Sequence, residues 1–371
     1  MYLMSAFLYH IRRYDWLLMG AVLLLMVLGL VSLFSLSGVS VFPSFERQLV
    51  WAGVGLVLLV AASLVDFRIF RTQSYVVLLL YLAVVALLMF TLIRNFAVRG
   101  VEAWLVFGNV FLQPVEPAKI ALVILFAKFF SKRHIEIYRL QHLAVSGLYL
   151  ALPAALVLLQ PDVGSAMVLV FLWIAVVVFS GMQLRHFLML LVLAAIFTVG
   201  AWLFFLEPYQ QARITAFLNP YADPQGTGYQ MIQSMIAVGS GRIWGKGLGY
   251  GSQTHLHFLP EAETDFIFAT FAEEWGFVGS IVMIGLFTVV LWRIIRIGQL
   301  GADNFSRLYA IGFAALIFSQ TFIHIGMNLG VLPITGLPLP FVSYGGSSLV
   351  TLLVGMGILQ NIKINSRREI E

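Results

Sequence analysis

The residues of this sequence that could do chemistry are carboxylates and cations set at the breaks between apolar runs. In Phe258-Leu259-Pro260-Glu261-Ala262-Glu263-Thr264-Asp265-Phe266-Ile267-Phe268-Ala269, Asp265 stands where a long apolar run begins. A carboxylate there, partly desolvated by Phe266 and Phe268, has a raised pKa and can accept a proton from a hydroxyl. An Asp in that position can equally be the N-cap of the helix that follows. Glu273 and Glu274 lie deeper in the same run. Acids inside an apolar span are costly and mark working sites, unless a buried base such as Lys119 or Arg213 pairs with them.

Gln113-Pro114-Val115-Glu116-Pro117-Ala118-Lys119 opens another run. Glu116 and Lys119 are three apart and share one helical face, so they form either an internal ion pair or part of an anion site. Gln160-Pro161-Asp162-Val163-Gly164 repeats the pattern of proline, acid and apolar run, and its Asp could be only a cap. The glycines from Gly239 to Gly251 surround Arg242 and Lys246. Their backbone N–H groups could approach an anion, or the segment could be a plain flexible turn. It is not a Walker loop, because the spacing fails and no Ser or Thr follows Lys246. Near the C-terminus, Ser343-Tyr344-Gly345-Gly346-Ser347-Ser348 puts hydroxyls and glycines at a helix start, which suits an anion. There is no nucleophile elbow of a serine hydrolase. The histidines lack metal-ligand spacing, and the absence of cysteine excludes thiol chemistry and disulfides.

These groups must be positioned by membrane helices. Of 371 residues, 61% are hydrophobic and 11% charged, with a mean hydropathy of +0.95. A water-soluble domain carries about 25% charged residues, so lipid is the solvent for much of this surface. The net charge of +5 does not point to nucleic acid, since the basic residues are dispersed among short loops. Windows of about 20 residues predict ten spans: Trp16–Leu36, Gln48–Val65, Ser74–Ile93, Pro117–Ser131, Leu143–Leu159, Gly164–Ser180, Phe187–Leu206, Phe266–Trp292, Leu308–Met327 and Ser347–Ile362. The fold class expected is all-α, a single polytopic membrane domain over 1–371. With the N-terminus inside, most of the 22 Lys and Arg fall on the cytoplasmic side. Both termini are then cytoplasmic, and the acids named above face outward. The first span follows Arg12 and Arg13 without a small-residue cleavage site, as expected of a retained anchor. The loop Glu207–Thr264 is too long for a connector. Within it Met231–Val238 predicts a short amphipathic or re-entrant helix. No internal repeat is evident, which argues against an inverted-repeat transporter.

Several long motifs occur in one order across essentially the whole chain: Gly228-Tyr229-Gln230, Gly239-Ser240-Gly241, Gly245-Lys246-Gly247, Phe258-Leu259-Pro260-Glu261, Thr264-Asp265-Phe266-Ile267-Phe268-Ala269, Glu273-Glu274-Trp275-Gly276 and Ser343-Tyr344-Gly345-Gly346-Ser347-Ser348. In these the chain resembles the SEDS family (shape, elongation, division and sporulation), its rod-shape branch more than its division branch. It departs at Glu263, where many members have His, and at Arg242, where many have a second Gly. The resemblance implies a peptidoglycan glycosyltransferase that polymerises lipid II on the outer face of the bacterial cytoplasmic membrane. It implies a class B penicillin-binding protein and the elongation machinery as partners, and Asp265 as the base. Lys119, Arg213 and Lys246 become candidates for holding the lipid pyrophosphate, with a divalent cation (Mg or Mn) that Glu116 could help hold. Glu261, Ser343, Tyr344 and Ser347 become further substrate contacts. Trp104 would stack on sugar, or simply belong to an interfacial aromatic belt. The rival readings are a lipid II flippase and a non-catalytic scaffold.

Overall fold

The computed structural model describes residues 10–38, 44–94, 104–107, 110–132, 140–204, 208–226 and 228–368. It is all-α apart from one hairpin, β1 (Leu105–Phe107) and β2 (Val110–Leu112), paired antiparallel with Leu105 opposite Leu112. The long helices are α1 (Trp16–Ser37), α2 (Ser44–Leu64), α4 (Ser74–Arg94), α5 (Val115–Ser131), α6 (Leu140–Leu159), α7 (Val163–Phe179), α8 (Leu184–Phe204), α12 (Ile267–Gln299), α13 (Asn304–Asn328) and α14 (Gly346–Arg368). Short ones are α3 (Arg68–Thr72), α9 (Pro208–Leu218), α10 (Tyr229–Ser240) and α11 (Ser252–His255). The short helix expected over Met231–Val238, amphipathic or re-entrant, is α10.

Eight of these helices are long and apolar enough to cross a membrane. The 17-residue α5 and α7 complete the ten. At about 1.5 Å per residue each is roughly 25 Å long, less than the hydrocarbon layer of about 30 Å. Buried along almost its whole length, α5 meets protein rather than lipid. It forms the centre with α13, which packs against α5, α7 and α12; α14 packs on α2, and α12 on α1. Leu, Val and Phe side chains of α1, α2, α4 and α8 point outward and stay exposed, as lipid-facing residues should.

The single span expected over Phe266–Trp292 needs correcting. α12 is broken at Gly276, whose φ of 67° and ψ of −164° are not helical. The segment 242–247 lies in the break and takes over the missing hydrogen bonds. Lys246 N–H donates to Glu273 O and Gly247 N–H to Glu274 O, both at 3.0 Å; Phe277 N–H donates to Arg242 O at 2.9 Å and Val278 N–H to Ile243 O at 3.1 Å. A Cβ at Gly276 would stand 2.3 Å from Gly245 N, so glycine is required. The part beyond the break, 277–299, is about 34 Å long and spans by itself. The first part, 267–275, is a separate half-helix that carries the segment of Asp265.

Candidate functional site

One end of the bundle collects the starts of α5, α7, α12 and α14 and the end of α13. Asp265 precedes α12 and is half-buried. The helix begins after it: Phe266 is the N-cap and offers no side-chain acceptor. The N–H of Ala269 is instead taken by Asn328 Oδ1 at 3.0 Å, so another helix fills the capping role that the sequence allows Asp265. Upstream, the carbonyl of Glu261 accepts the N–H groups of Thr264 (3.2 Å), Asp265 (3.1 Å) and Phe266 (3.3 Å). Glu261 has a positive φ of 52° to make this turn.

The prolyl segment before α14 closes over the site. Ser343 Oγ donates to Thr264 O and accepts from Leu339 N–H, both at 2.8 Å, and Tyr344 N–H donates to Glu263 O at 3.0 Å. A Cβ on Gly336 would lie 3.5 Å from Asp265 Oδ2, and one on Gly164 would lie 2.8 Å from Thr335 O. Residues 335–337 therefore bridge the Asp265 carboxylate to the first turn of α7.

At that turn a charge cluster begins, with Asp162 half-buried and Glu116 and Lys119 buried. Asp162 caps α7, accepting from Ser165 N–H at 2.9 Å, and Gln113 Nε2 reaches its Oδ2 at 3.4 Å. Glu116 and Lys119 form the expected ion pair at 2.7 Å, with side chains 2% and 1% exposed. Burial holds the Asp162 carboxyl above the usual range; the Ser165 bonds and the Lys119 charge oppose this, and Glu116 adds to it. One ammonium thus stands among two carboxyls in a low-dielectric setting, where its field is strong.

The other expected residues divide. Lys246 is not in this group: its Nζ binds Glu273 Oε1 at 2.7 Å and Ser252 Oγ at 2.7 Å. Glu273 also accepts from Gln253 N–H (3.0 Å), Thr254 N–H (3.2 Å) and Thr254 Oγ1 (2.9 Å). Glu274 accepts from the Ser35 hydroxyl and from Gly249 N–H at 3.0 Å, and lies 3.4 Å from His255 Nε2. The acids inside the span are therefore paired by the glycine-rich loop, and Lys119 pairs with Glu116 instead. The same bonds correct the anion-cradle reading of that loop, whose N–H groups at Lys246, Gly247 and Gly249 are spent on α12. Ser347 is a brace, accepting from Gln113 N–H at 3.1 Å and donating to Phe111 O at 3.2 Å. Trp104 is half-buried at the foot of β1, and Glu261 is exposed. Arg213 lies on α9; its side chain, like Glu207, lies outside the described residues.

No group of three His, Asp or Glu able to hold a metal is assembled among the described residues, and Glu116 Oε1 is engaged by Lys119. The donor set fits a protein-held metal poorly. Sequence reasoning assigned no role to Asn328, which signals itself only as an amide ending an apolar helix. It left Asp162 as a possible cap, and only the packing of α5 on α7 joins it to Lys119.

Residues 15–368 match the FTSW_RODA_SPOVE family, described as cell cycle protein. The stage V sporulation protein E of Bacillus subtilis strain 168 is 36% identical over 364 residues, covering 95% of this chain and 98% of that protein. The peptidoglycan glycosyltransferase MrdB of Escherichia coli K12 is 36% identical over 342 residues, 92% and 90% of the two chains. Among solved structures, a chain of a peptidoglycan synthase complex that coordinates polymerization and crosslinking superposes with a TM-score of 0.80 at 35% identity, over 95% of this chain and 98% of that one.

Proposed function

We infer the function from one premise: this chain belongs to the FtsW/RodA/SpoVE family of cell cycle proteins, and it is a peptidoglycan glycosyltransferase. The substrate proposed is lipid II, a disaccharide-peptide on undecaprenyl diphosphate. Asp265 accepts the proton of a sugar hydroxyl as that oxygen bonds to the anomeric carbon of the second molecule. The bond from that carbon to the diphosphate breaks, and the diphosphate leaves with the electron pair. An α-linked phosphate giving a β-linked glycan requires one inversion, so one carboxylate base suffices and no covalent intermediate forms. A positioned base contributes about 10²–10⁴-fold, and preorganised charge often more. Lys119 is the cation placed to stabilise the leaving diphosphate. A magnesium or manganese ion would arrive on the diphosphate itself.

The observation that carries this reading is the bridge of residues 335–337 between the Asp265 carboxylate and the start of α7, where half-buried Asp162 stands beside the buried Glu116–Lys119 pair. An apolar groove of about 290 Å³ between α1 and α2, lined by Val27, Val31, Phe34, Phe45 and Leu49, offers the prenyl chain a lipid-side berth. Next to it Gln48 donates to Ser343 O at 3.1 Å and accepts from Gly345 N–H at 3.1 Å. We assign the site to the outer face of the bacterial inner membrane, with both termini cytoplasmic. The chain serves cell elongation, working with a class B penicillin-binding protein that crosslinks its product.

The test is polymerisation of purified lipid II in detergent by the native protein and by Asp265→Asn. Glycan strands from the native protein alone are expected. A flippase has no membrane to cross in detergent and makes none; a scaffold is inert in both forms.

A further inference from the structure

We propose that Asn328 is a positioning residue of this site: it supplies from α13 the cap that α12 lacks, and so fixes the backbone from which the Asp265 carboxylate projects. The proposal rests on the reading of Asp265 as the general base.

Helix α12 starts without a cap of its own, because Phe266 has no side-chain acceptor. The first N–H groups of a helix need partners from elsewhere. Asn328, fully buried, provides one: its Oδ1 accepts from Ala269 N–H at 3.0 Å. The same amide donates from Nδ2 to the Asp265 carbonyl at 3.0 Å and to the His324 carbonyl at 2.8 Å. Acceptor and both donors are thus used, two of the three bonds on the segment of the proposed base. A leucine of similar size makes none of them, and a carboxylate cannot supply both donors.

One turn earlier on the same face of α13, His324 holds the opposite wall. Its Nδ1 lies 2.7 Å from Leu337 O. A carbonyl only accepts, so the proton is on Nδ1. Leu337 follows Gly336, whose backbone faces the Asp265 carboxylate. Asn328 and His324 therefore set the distance between the base and the loop that covers it. The geometry matters because a displacement of about 1 Å in a reacting group can cost on the order of 10²-fold in rate. The amide carries no net charge and does not titrate, so it holds the base without adding a second ionisable group beside it.

The experiment is steady-state polymerisation of lipid II in detergent by Asn328→Ala and Asn328→Asp, with the folded fraction and Tm measured on the same samples. Asn328→Ala should lower kcat per folded molecule about 10–100-fold, with KM within about twofold of native. Asn328→Asp keeps the acceptor for Ala269 and loses donors to the Asp265 segment. It should lie between native and Ala, and it carries the test alone if the alanine variant does not fold. Native kcat in the folded variants, with only Tm lowered, would show a purely structural residue and overturn the proposal. Asp265→Asn is run in the same series. Turnover in that variant overturns the base assignment; its inactivity beside native kcat in the Asn328 variants overturns the positioning role alone.

Discussion

The end of the bundle that carries Asp15 is fastened by charge. Asp15 is 2% exposed, caps α1 through Leu18 N–H, and accepts from Nε and Nη2 of Arg293 on α12. Lys363 of α14 lies 3.6 Å away, and Gln360 accepts the Asp15 N–H at 2.9 Å. Beside them Arg71 pairs with Asp303 at 2.6 Å, and Lys128 donates to Arg71 O at 2.6 Å. Around Asp265 itself the frame is neutral: Asn328, Ser343, Ser347 and Gln48 bond mostly to backbone, and the Lys246–Glu273 pair lies deeper, at the break in α12. The ionisable groups there sit beside that frame, with Lys119 facing the carboxyls of Glu116 and Asp162. The difference separates holding from working. Fixed pairs can tie helices where no charge changes. Where the proposed reaction would move a proton and release a diphosphate, a neutral frame would keep its geometry through the change, which is what preorganisation requires.

The largest expected effect is at the working end. Asp265→Asn should lower the polymerisation rate by about 10²–10⁴-fold with Tm unmoved; a drop in Tm matching the drop in rate would make Asp265 part of the frame and erase the contrast. Next, Lys119→Met strands Glu116 in the interior and should cost about 3–5 kcal/mol of stability. Adding Glu116→Gln should restore most of the Tm and none of the turnover. Recovery of both would reduce the pair to a fastening like those of the other end. Third, Asp15→Asn removes a clamp whose Arg293 is partly solvated, and should cost about 2–3 kcal/mol while leaving kcat per folded molecule unchanged.

The pH dependence sharpens the third case. Burial works to raise the Asp15 pKa, but Arg293, the Leu18 N–H and Lys363 together outweigh it and hold it below the ordinary value. A depressed carboxylate pKa gives stability that is fully present above the unfolded value of about 3.9 and is lost as pH falls through the folded one. Thermal melts of the native protein should therefore fall off on the acid side of about pH 4 more steeply than those of Asp15→Asn. Parallel curves would mean that the clamp does not depend on charge.

Much of this was legible in the sequence, because lipid imposes a simple rule on apolar runs. All ten expected spans are helical over their described residues, the eighth with its break at Gly276, and the acids at Glu116, Asp162 and Asp265 come together at one end as their proline-marked corners implied. What stayed hidden depends on partners far along the chain. Nothing local marks Lys246 as the mate of Glu273 or Asn328 as the cap of α12. The break at Gly276 was hidden because one glycine in an apolar run is tolerated; it becomes a break only when the segment 242–247 supplies replacement bonds. Ser343 and Ser347 carry the hydroxyls of an anion site, but their geometry spends them on Thr264 and Phe111.

That same segment gives the smallest effect and the finest probe of the frame. A Cβ at Gly241 would meet Ala272 O at 2.0 Å, and one at Gly245 would meet Glu274 O at 2.0 Å, so neither position accepts a side chain. Between them Arg242, where many members of the resembled family carry glycine, has a φ of 49° with its side chain exposed. The left-handed conformation costs a non-glycine residue about 1–2 kcal/mol, and glycine gives back about 0.5–1 kcal/mol in chain entropy. Arg242→Gly should therefore raise stability by no more than about 1.5 kcal/mol, read as a small rise in Tm with turnover unchanged. Arg242→Val should lower Tm, because a β-branched side chain tolerates positive φ least. If the glycine variant instead melted well below native, the Arg242 guanidinium would be fastening the break in α12 together with the Lys246–Glu273 pair, and the neutral frame around Asp265 would rest on charge as the Asp15 end does.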